Sequence, residues 1–257
     1  MVLVVAALAE EVRIVLESSS EVRRVGAVAG LFEARRDGQR LLLLRSGVGP
    51  KAAASRLAAA LRHVRPSLLL IVGYAGALKQ GLEPGDLVAI DRSSLLEKVQ
   101  PEAVAAGDSV CRWSWDLPAS RDLAGMAAAA GLKIHIGEGL TSHDIVGDPF
   151  HKELLHRRFG AAVVDMETAA LAGEAVSQGI PAACVRAITD PADDTLLKPF
   201  SFRSRTARIR GRVNSFTEGK GLYNLQEWKK RTDVARASLG RFLNVYFRTP
   251  PGGTMTD

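Results

Sequence analysis

Short apolar runs alternate with longer amphipathic stretches along most of the chain. Residues 2–7 carry no polar side chain on either side of a pleat, which predicts a strand buried on both faces. Residues 10–17 predict a helix. Residues 26–46 predict two strands around Asp37-Gly38, a strong hairpin signal, with 41–44 as the apolar centre of the second. An alanine-rich helix over 51–64 ends before Pro66, and 68–72 forms another buried strand leading into Gly73-Tyr74-Ala75-Gly76. A turn at Pro84-Gly85 precedes a strand over 86–91. Further on, helices are predicted over 119–130, 148–158 and 168–177, and strands over 133–137, 161–164 and 182–188. Strand and helix follow each other with one hairpin among them. That order predicts a single-domain α/β protein, a three-layer α/β/α sandwich around a mixed central sheet.

The last part of the chain breaks this rhythm. Residues 200–214 are polar and arginine-rich, while 222–246 bring apolar residues back at roughly helical spacing. The expected division is a catalytic body over 1–199 and a basic, partly helical extension over 200–257.

Charge sharpens that division. The 257 residues carry a formal net charge of +6. Residues 201–257 hold twelve Lys/Arg against four Asp/Glu, a net of +8, so the preceding 200 residues sum to −2. The body is near neutral and the basic character belongs to the extension. Cys111 and Cys184 do not form a CxxC pair, which argues against a disulfide framework or a structural zinc site and fits a cytoplasmic protein. No apolar run approaches the roughly 20 residues that span a bilayer. The apolar start lacks a basic leader and reads as a strand, not as a signal peptide.

In α/β sheets, ligands gather beyond the carboxyl ends of strands. Five polar or glycine-rich segments follow apolar strands here: Glu10-Glu11, Gly47-Val48-Gly49, Gly73–Gly76, Asp165-Met166-Glu167 and Thr189-Asp190. An acid at a strand end is costly unless it faces a partner or a polar ligand. Taken singly, each is more often a helix cap, and Asp165 suits that role. The glycines at 47 and 49 serve an anion or tight strand-to-helix packing equally well. They lack the third glycine of a dinucleotide fingerprint, and no GK[ST] pair is present.

The segments AALAEEV, SGVGPKAAAS, VGYAGALKQGLEPGDLVAID, VVDMETAALA and VRAITDPAD occur in the order and spacing of one known family. Over roughly residues 2–194 the chain resembles the purine nucleoside/uridine phosphorylase family. It looks most like the 5′-methylthioadenosine/S-adenosylhomocysteine nucleosidase branch, and the VDME form also resembles a hopanoid-associated branch.

The resemblance implies cleavage of the N-ribosidic bond of a purine nucleoside, with adenine the expected base. Asp190 matches the acid that protonates the leaving base at N7, with Thr189 beside it. Glu167 matches the carboxylate that grips the ribose hydroxyls and favours positive charge on the sugar, with Met166 packed on the ribose. Glu11 matches the base that activates water. Two carboxyl groups with divided roles are the usual logic of glycoside cleavage. Gly47, Tyr74, Ala75 and Gly76 fall among the substrate-binding positions. His143 and Ile145 fall where the family contacts the base, although the family often has an aromatic residue there.

The nucleophile, water or phosphate, is the open choice. In the family's hexameric phosphorylases an arginine and a serine hold phosphate near this glycine-rich strand end. The matching positions here are Ile71 and Tyr74, and neither brings a cation, which favours hydrolysis. Arg45 and the arginines of the extension stand as substitutes, so a phosphorylase remains the alternative. A nucleoside-binding protein without catalysis is the second alternative. Tyr74 also replaces a small residue near the ribose, which points to an unusual 5′ substituent, large or lipidic. No metal and no cofactor is expected. The partners expected are the nucleoside and a second copy in a homodimer. Peripheral membrane contact through the extension, with Trp228, Phe242, Tyr246 and Phe247 supplying apolar surface, is a further expectation. No nucleic-acid-binding motif is visible.

Overall fold

The computed structural model describes residues 1–97, 111–195 and 220–249. Among the described residues ten strands form one mixed sheet: β1 (Val2–Ala6), β2 (Ser20–Arg24), β3 (Leu31–Arg36), β4 (Gln39–Arg45), β5 (Leu68–Ala77), β6 (Leu87–Leu96), β7 (Cys111–Asp116), β8 (Ile134–Thr141), β9 (Val163–Asp165) and β10 (Ala182–Asp190). The helices are α1 (Ala9–Leu16), α2 (Pro50–Leu61), α3 (Ala119–Ala129), α4 (Pro149–Phe159), α5 (Thr168–Ser177) and α6 (Lys220–Arg248).

The apolar runs explain the layering. In β1, Leu3 and Val5 face one core, shared with α2 and α5, while Val4 and Ala6 face another, shared with α1, α3 and α6. The same split holds in β4, where Leu42 and Leu44 oppose Leu41 and Leu43. Strands covered on both faces have no polar side to show, hence their unbroken apolar sequence. The result is the α/β/α sandwich expected from the sequence. The Asp37-Gly38 hairpin is also present, both residues having positive φ between β3 and β4, as a tight primed turn requires.

One end of the sheet curls on itself. β5 pairs with β10, β10 with β6, β6 with β8, β8 with β9, and β9 again with β5. This closed ring draws strand ends distant in sequence into one place. A register shift between Ile188 and Asp190 leaves Thr189 without a paired residue on β5 and sets Asp190 opposite Gly76. Bulges of this kind re-aim side chains at ligand sites.

Two strands lie outside the runs read from the sequence. All five residues of β2 are exposed and show no apolar alternation, whereas β7 does alternate, with Cys111, Trp113 and Trp115 between polar residues, but is short and mostly exposed. β5 also runs past the expected end at Val72 through the glycines to Ala77, because β10 and β9 continue to pair with it.

The C-terminal helix is bound into the body. Ala235, Leu239, Phe242, Leu243 and Phe247 of α6 are buried in the same core as β1, β4 and β10. Arg36 of β3 is buried too, donates to the Val15 carbonyl and to Asn244, and stacks on Phe247. Two of the aromatic residues expected to touch a membrane, Phe242 and Phe247, are therefore 0% and 2% exposed and present no face to one. Residues 200–214 lie outside the described residues. Among the described residues no helix is long and apolar enough to cross a membrane.

Candidate active site

The carboxyl ends of β1, β4, β5, β8, β9 and β10 surround one cavity. Nine of the sequence-predicted residues line it: Glu11, Tyr74, Ala75, Gly76, Ile145, Met166, Glu167, Thr189 and Asp190. Two do not. His143 is exposed on the loop after β8, and the cavity wall there is made by Asp144, Ile145 and Val146 instead. Gly47 is half-buried, and its neighbour Val48 takes the place on the lining. The turn still contributes: the Gly49 N–H donates to Glu167 Oε1 at 2.9 Å. Gly49 holds φ +94, a conformation that side chains rarely adopt, so glycine is suited to presenting that N–H.

Glu11 sits in the first turn of α1 and reaches back to the entry of its own helix. Its Oε2 accepts the Ala7 and Leu8 N–H groups at 2.9 and 2.7 Å, and its Oε1 accepts the Tyr74 N–H at 2.9 Å. A carboxylate at a helix N-terminus is stabilising by itself, but only 2% of this residue is exposed. Burial pushes its pKa up, against Arg186 and the three N–H groups, which pull it down.

Arg186, in the middle of β10, organises the acids. It is 1% exposed, lies 2.9 Å from Asp165 Oδ2 and 3.7 Å from Glu167 Oε2, and donates to the Thr168 hydroxyl. Gly73 makes room for it, since a Cβ there would collide with Arg186 Nη1 and Glu11 Oε1. Asp165 is a structural acid. Besides Arg186, it accepts the Thr141 hydroxyl at 2.7 Å and the Glu167 and Thr168 N–H groups at 3.1 Å each, capping α5. Glu167 is held more loosely. Burial, helped by Asp165 and Glu11 and opposed by Arg186 and the Gly49 N–H, pushes its pKa up to about 8.

Asp190 lies across β5 from these groups. Its Oδ1 accepts the Thr189 hydroxyl at 2.8 Å, and its Oδ2 accepts Lys152 Nζ at 2.6 Å. A Cβ at Gly76 would stand 2.7 Å from Asp190 Oδ2, so the strand passes close under the acid. Glu11 packs over Gly73 and Asp190 over Gly76, three residues on. At strand spacing the two glycines are roughly 10 Å apart along β5 and, being three residues apart, present opposite faces of the strand to the two acids.

Three contributors were not assigned from sequence. Arg186 had a signal, being the lone cation in the apolar run AACVRAITD, where a buried charge demands partners. Lys152 had none, because the polar helix FHKELLHRRF reads as a solvated surface. Trp228, on α6, lines the cavity from a segment far from the motifs. Ile71, one of the two positions compared with a phosphate site, is 1% exposed in the core. Tyr74, the other, lines the cavity, its hydroxyl buried with no hydrogen-bond partner among the described residues. Burial first, then Glu11, raises the Tyr74 pKa, so the hydroxyl stays protonated. Arg45 is exposed and off the lining.

Comparisons with known proteins show the family of the chain. The model of the phosphorylase superfamily matches residues 1–217. The chain is 32% identical over 203 residues to a 5′-methylthioadenosine/S-adenosylhomocysteine nucleosidase of Geobacillus thermodenitrificans, covering 74% of this chain and 84% of the relative. Among solved structures, a nucleosidase of the same name from Neisseria meningitidis, in complex with methylthio-immucillin-A, has a TM-score of 0.72 at 20% identity, covering 96% of this chain and 99% of that one. Futalosine hydrolase of Helicobacter pylori has a TM-score of 0.71 at 17% identity, covering 95% of each chain. These two share the fold. With the family match over most of its length and the Geobacillus relative over three quarters of it, the chain belongs to the phosphorylase superfamily.

Proposed function

We propose that the protein hydrolyses the N-ribosidic bond of an adenine-type purine nucleoside and releases the free base. The charge of the site carries this reading. Glu11, Asp165, Glu167 and Asp190 are all buried, and among the described residues the buried cations touching them are Arg186 and Lys152. Four carboxyls against two cations suit a sugar that becomes positive as its bond to the base breaks. The described lining of the cavity holds no Lys, Arg or His, so nothing on it favours an anionic phosphate as nucleophile. Water is the reactant this lining accepts.

The roles follow the positions. The base lies against Ile145 and Val146 and takes a proton from Asp190 at N7. The ribose rests on Met166, and its hydroxyls donate to Glu167, whose negative charge favours the cationic sugar. Water is held and deprotonated by Glu11 on the Gly73 side. The 5′ substituent points toward Tyr74 and Trp228, whose rings favour an apolar group such as the methylthio group in the relatives' name, or a larger, lipidic one. The protein acts as a homodimer. Peripheral membrane contact would rest on the basic residues of the extension, without Phe242 and Phe247.

Incubation with adenosine, methylthioadenosine and inosine in phosphate-free buffer tests the reading. Free base is expected from at least one adenine nucleoside. Asp190→Asn is expected to abolish release while the nucleoside still binds. Binding without release by the native protein would instead identify a nucleoside-binding protein.

A further inference from the structure

Lys152 is 0% exposed, on a helix whose other cations face solvent. Its ammonium has three acceptors: Asp190 Oδ2 at 2.6 Å, the Pro191 carbonyl at 2.7 Å and the Asp194 carbonyl at 3.3 Å. Asp194 is in turn paired with Arg231 of α6. A buried ammonium must be fully paired, and this one spends its shortest bond on the acid assigned to the leaving base. Resting on the hydrolase reading, we propose that Lys152 is the positioning residue of that acid and the source of the proton that Asp190 delivers to the base.

The geometry favours this over a purely structural pin. Both oxygens of Asp190 are met by donors, Oδ1 by the Thr189 hydroxyl and Oδ2 by Lys152. Asp190 Oδ2 sits 2.7 Å from where a Cβ at residue 76 would stand, so the carboxyl is seated against a bare glycine on one side and Lys152 on the other. The nearest transferable proton is on Lys152 Nζ. Lysine is suited to give it up, whereas a guanidinium would fix the carboxylate and keep its protons.

The proton ledger closes. Lys152 Nζ passes a proton to Asp190, and Asp190 passes one to N7. The C1′–N9 bonding pair stays with the base, which leaves neutral. Lys152 is then a neutral amine and Asp190 again a carboxylate. Water bonds to C1′ and loses a proton to Glu11. Glu11 releases that proton to solvent, and once the products have left, the cavity-lining Asp190 relays one from solvent back to Lys152.

The test compares leaving groups. Adenine needs a proton to depart, whereas the nitrophenolate of p-nitrophenyl β-D-ribofuranoside does not. In Lys152→Met, kcat on adenosine is expected to fall about 100-fold or more, the range of a lost general acid. KM for adenosine and turnover of the nitrophenyl riboside should change less than about threefold. Lys152→Arg, which keeps the charge, should stay slow on adenosine. It also carries the test if Lys152→Met does not fold, as judged by thermal melting. Parallel loss on both substrates, no loss on adenosine, or rescue by Lys152→Arg would each overturn the proposal. Failure of the native protein on every purine nucleoside would instead sink the hydrolase reading on which it rests.

Discussion

Glu167 Oε2 lies 3.7 Å from Arg186 Nη2, while the same guanidinium is only 2.9 Å from Asp165. The cation is therefore committed first to the structural acid, and Glu167 is left under-neutralised in a buried place.

The pH dependence of Glu167 follows from that sharing. Burial raises its pKa in the folded protein to about 8, above the ordinary 4.5. The folded state holds this proton more tightly than the unfolded chain does. The resulting stability is fully present below about pH 4.5 and lost as pH rises through about 8. Glu167→Gln mimics the protonated form. It should melt close to the native protein near pH 4.5 and above it at pH 9, by an amount on the order of a few kcal/mol. Turnover should fall at least about 100-fold, since the amide cannot favour a cationic sugar. In the native protein kcat/KM should rise with pH through about 8 as free Glu167 ionises. Melting curves and rates across pH 5–9 read both effects.

Glu11→Gln is expected to lose hydrolysis by about 100-fold or more while still binding adenine. The amide nitrogen would face at least one of the three N–H donors now satisfied by the carboxylate, at a cost of about 1–3 kcal/mol in stability. Calorimetric binding of adenine beside a rate assay separates the two effects.

Gly73→Ala should be more damaging than its single methyl suggests. The added Cβ meets both Arg186 Nη1 and Glu11 Oε1, and neither can move aside without loosening its bonds, Arg186 to Asp165 and Thr168 and Glu11 to three N–H groups. Activity should drop with the melting temperature, and a variant with native turnover would show that Arg186 is not held as described.

Phe242→Ala should cost about 3–5 kcal/mol, the usual penalty for emptying a buried aromatic position. Urea unfolding measures it. A change under about 1 kcal/mol would mean that α6 is not part of the core.

The sandwich was legible because buried strands such as β1 and β4 must be apolar on both faces, and that leaves an unbroken run. The acids were legible because three of them follow such runs directly within recognisable motifs. Ring closure was not, since the pairing of β9 with β5 and of β10 with β6 is a long-range register that leaves no local trace. His143 was expected at the site from its place near Ile145, yet the lining begins at Asp144, and an irregular loop has no periodicity to tell which of its residues face inward. Lys152 was hidden for the opposite reason: one buried position on a polar helix does not alter the helix's pattern.

The central claim is hydrolysis, and the fate of the ribose carbon tests it most directly. Turnover of an adenine nucleoside in ¹⁸O-enriched water, with and without phosphate, should give free sugar labelled at C1 in both cases at similar rates. Base release that requires phosphate and yields an unlabelled ribose 1-phosphate would contradict the account.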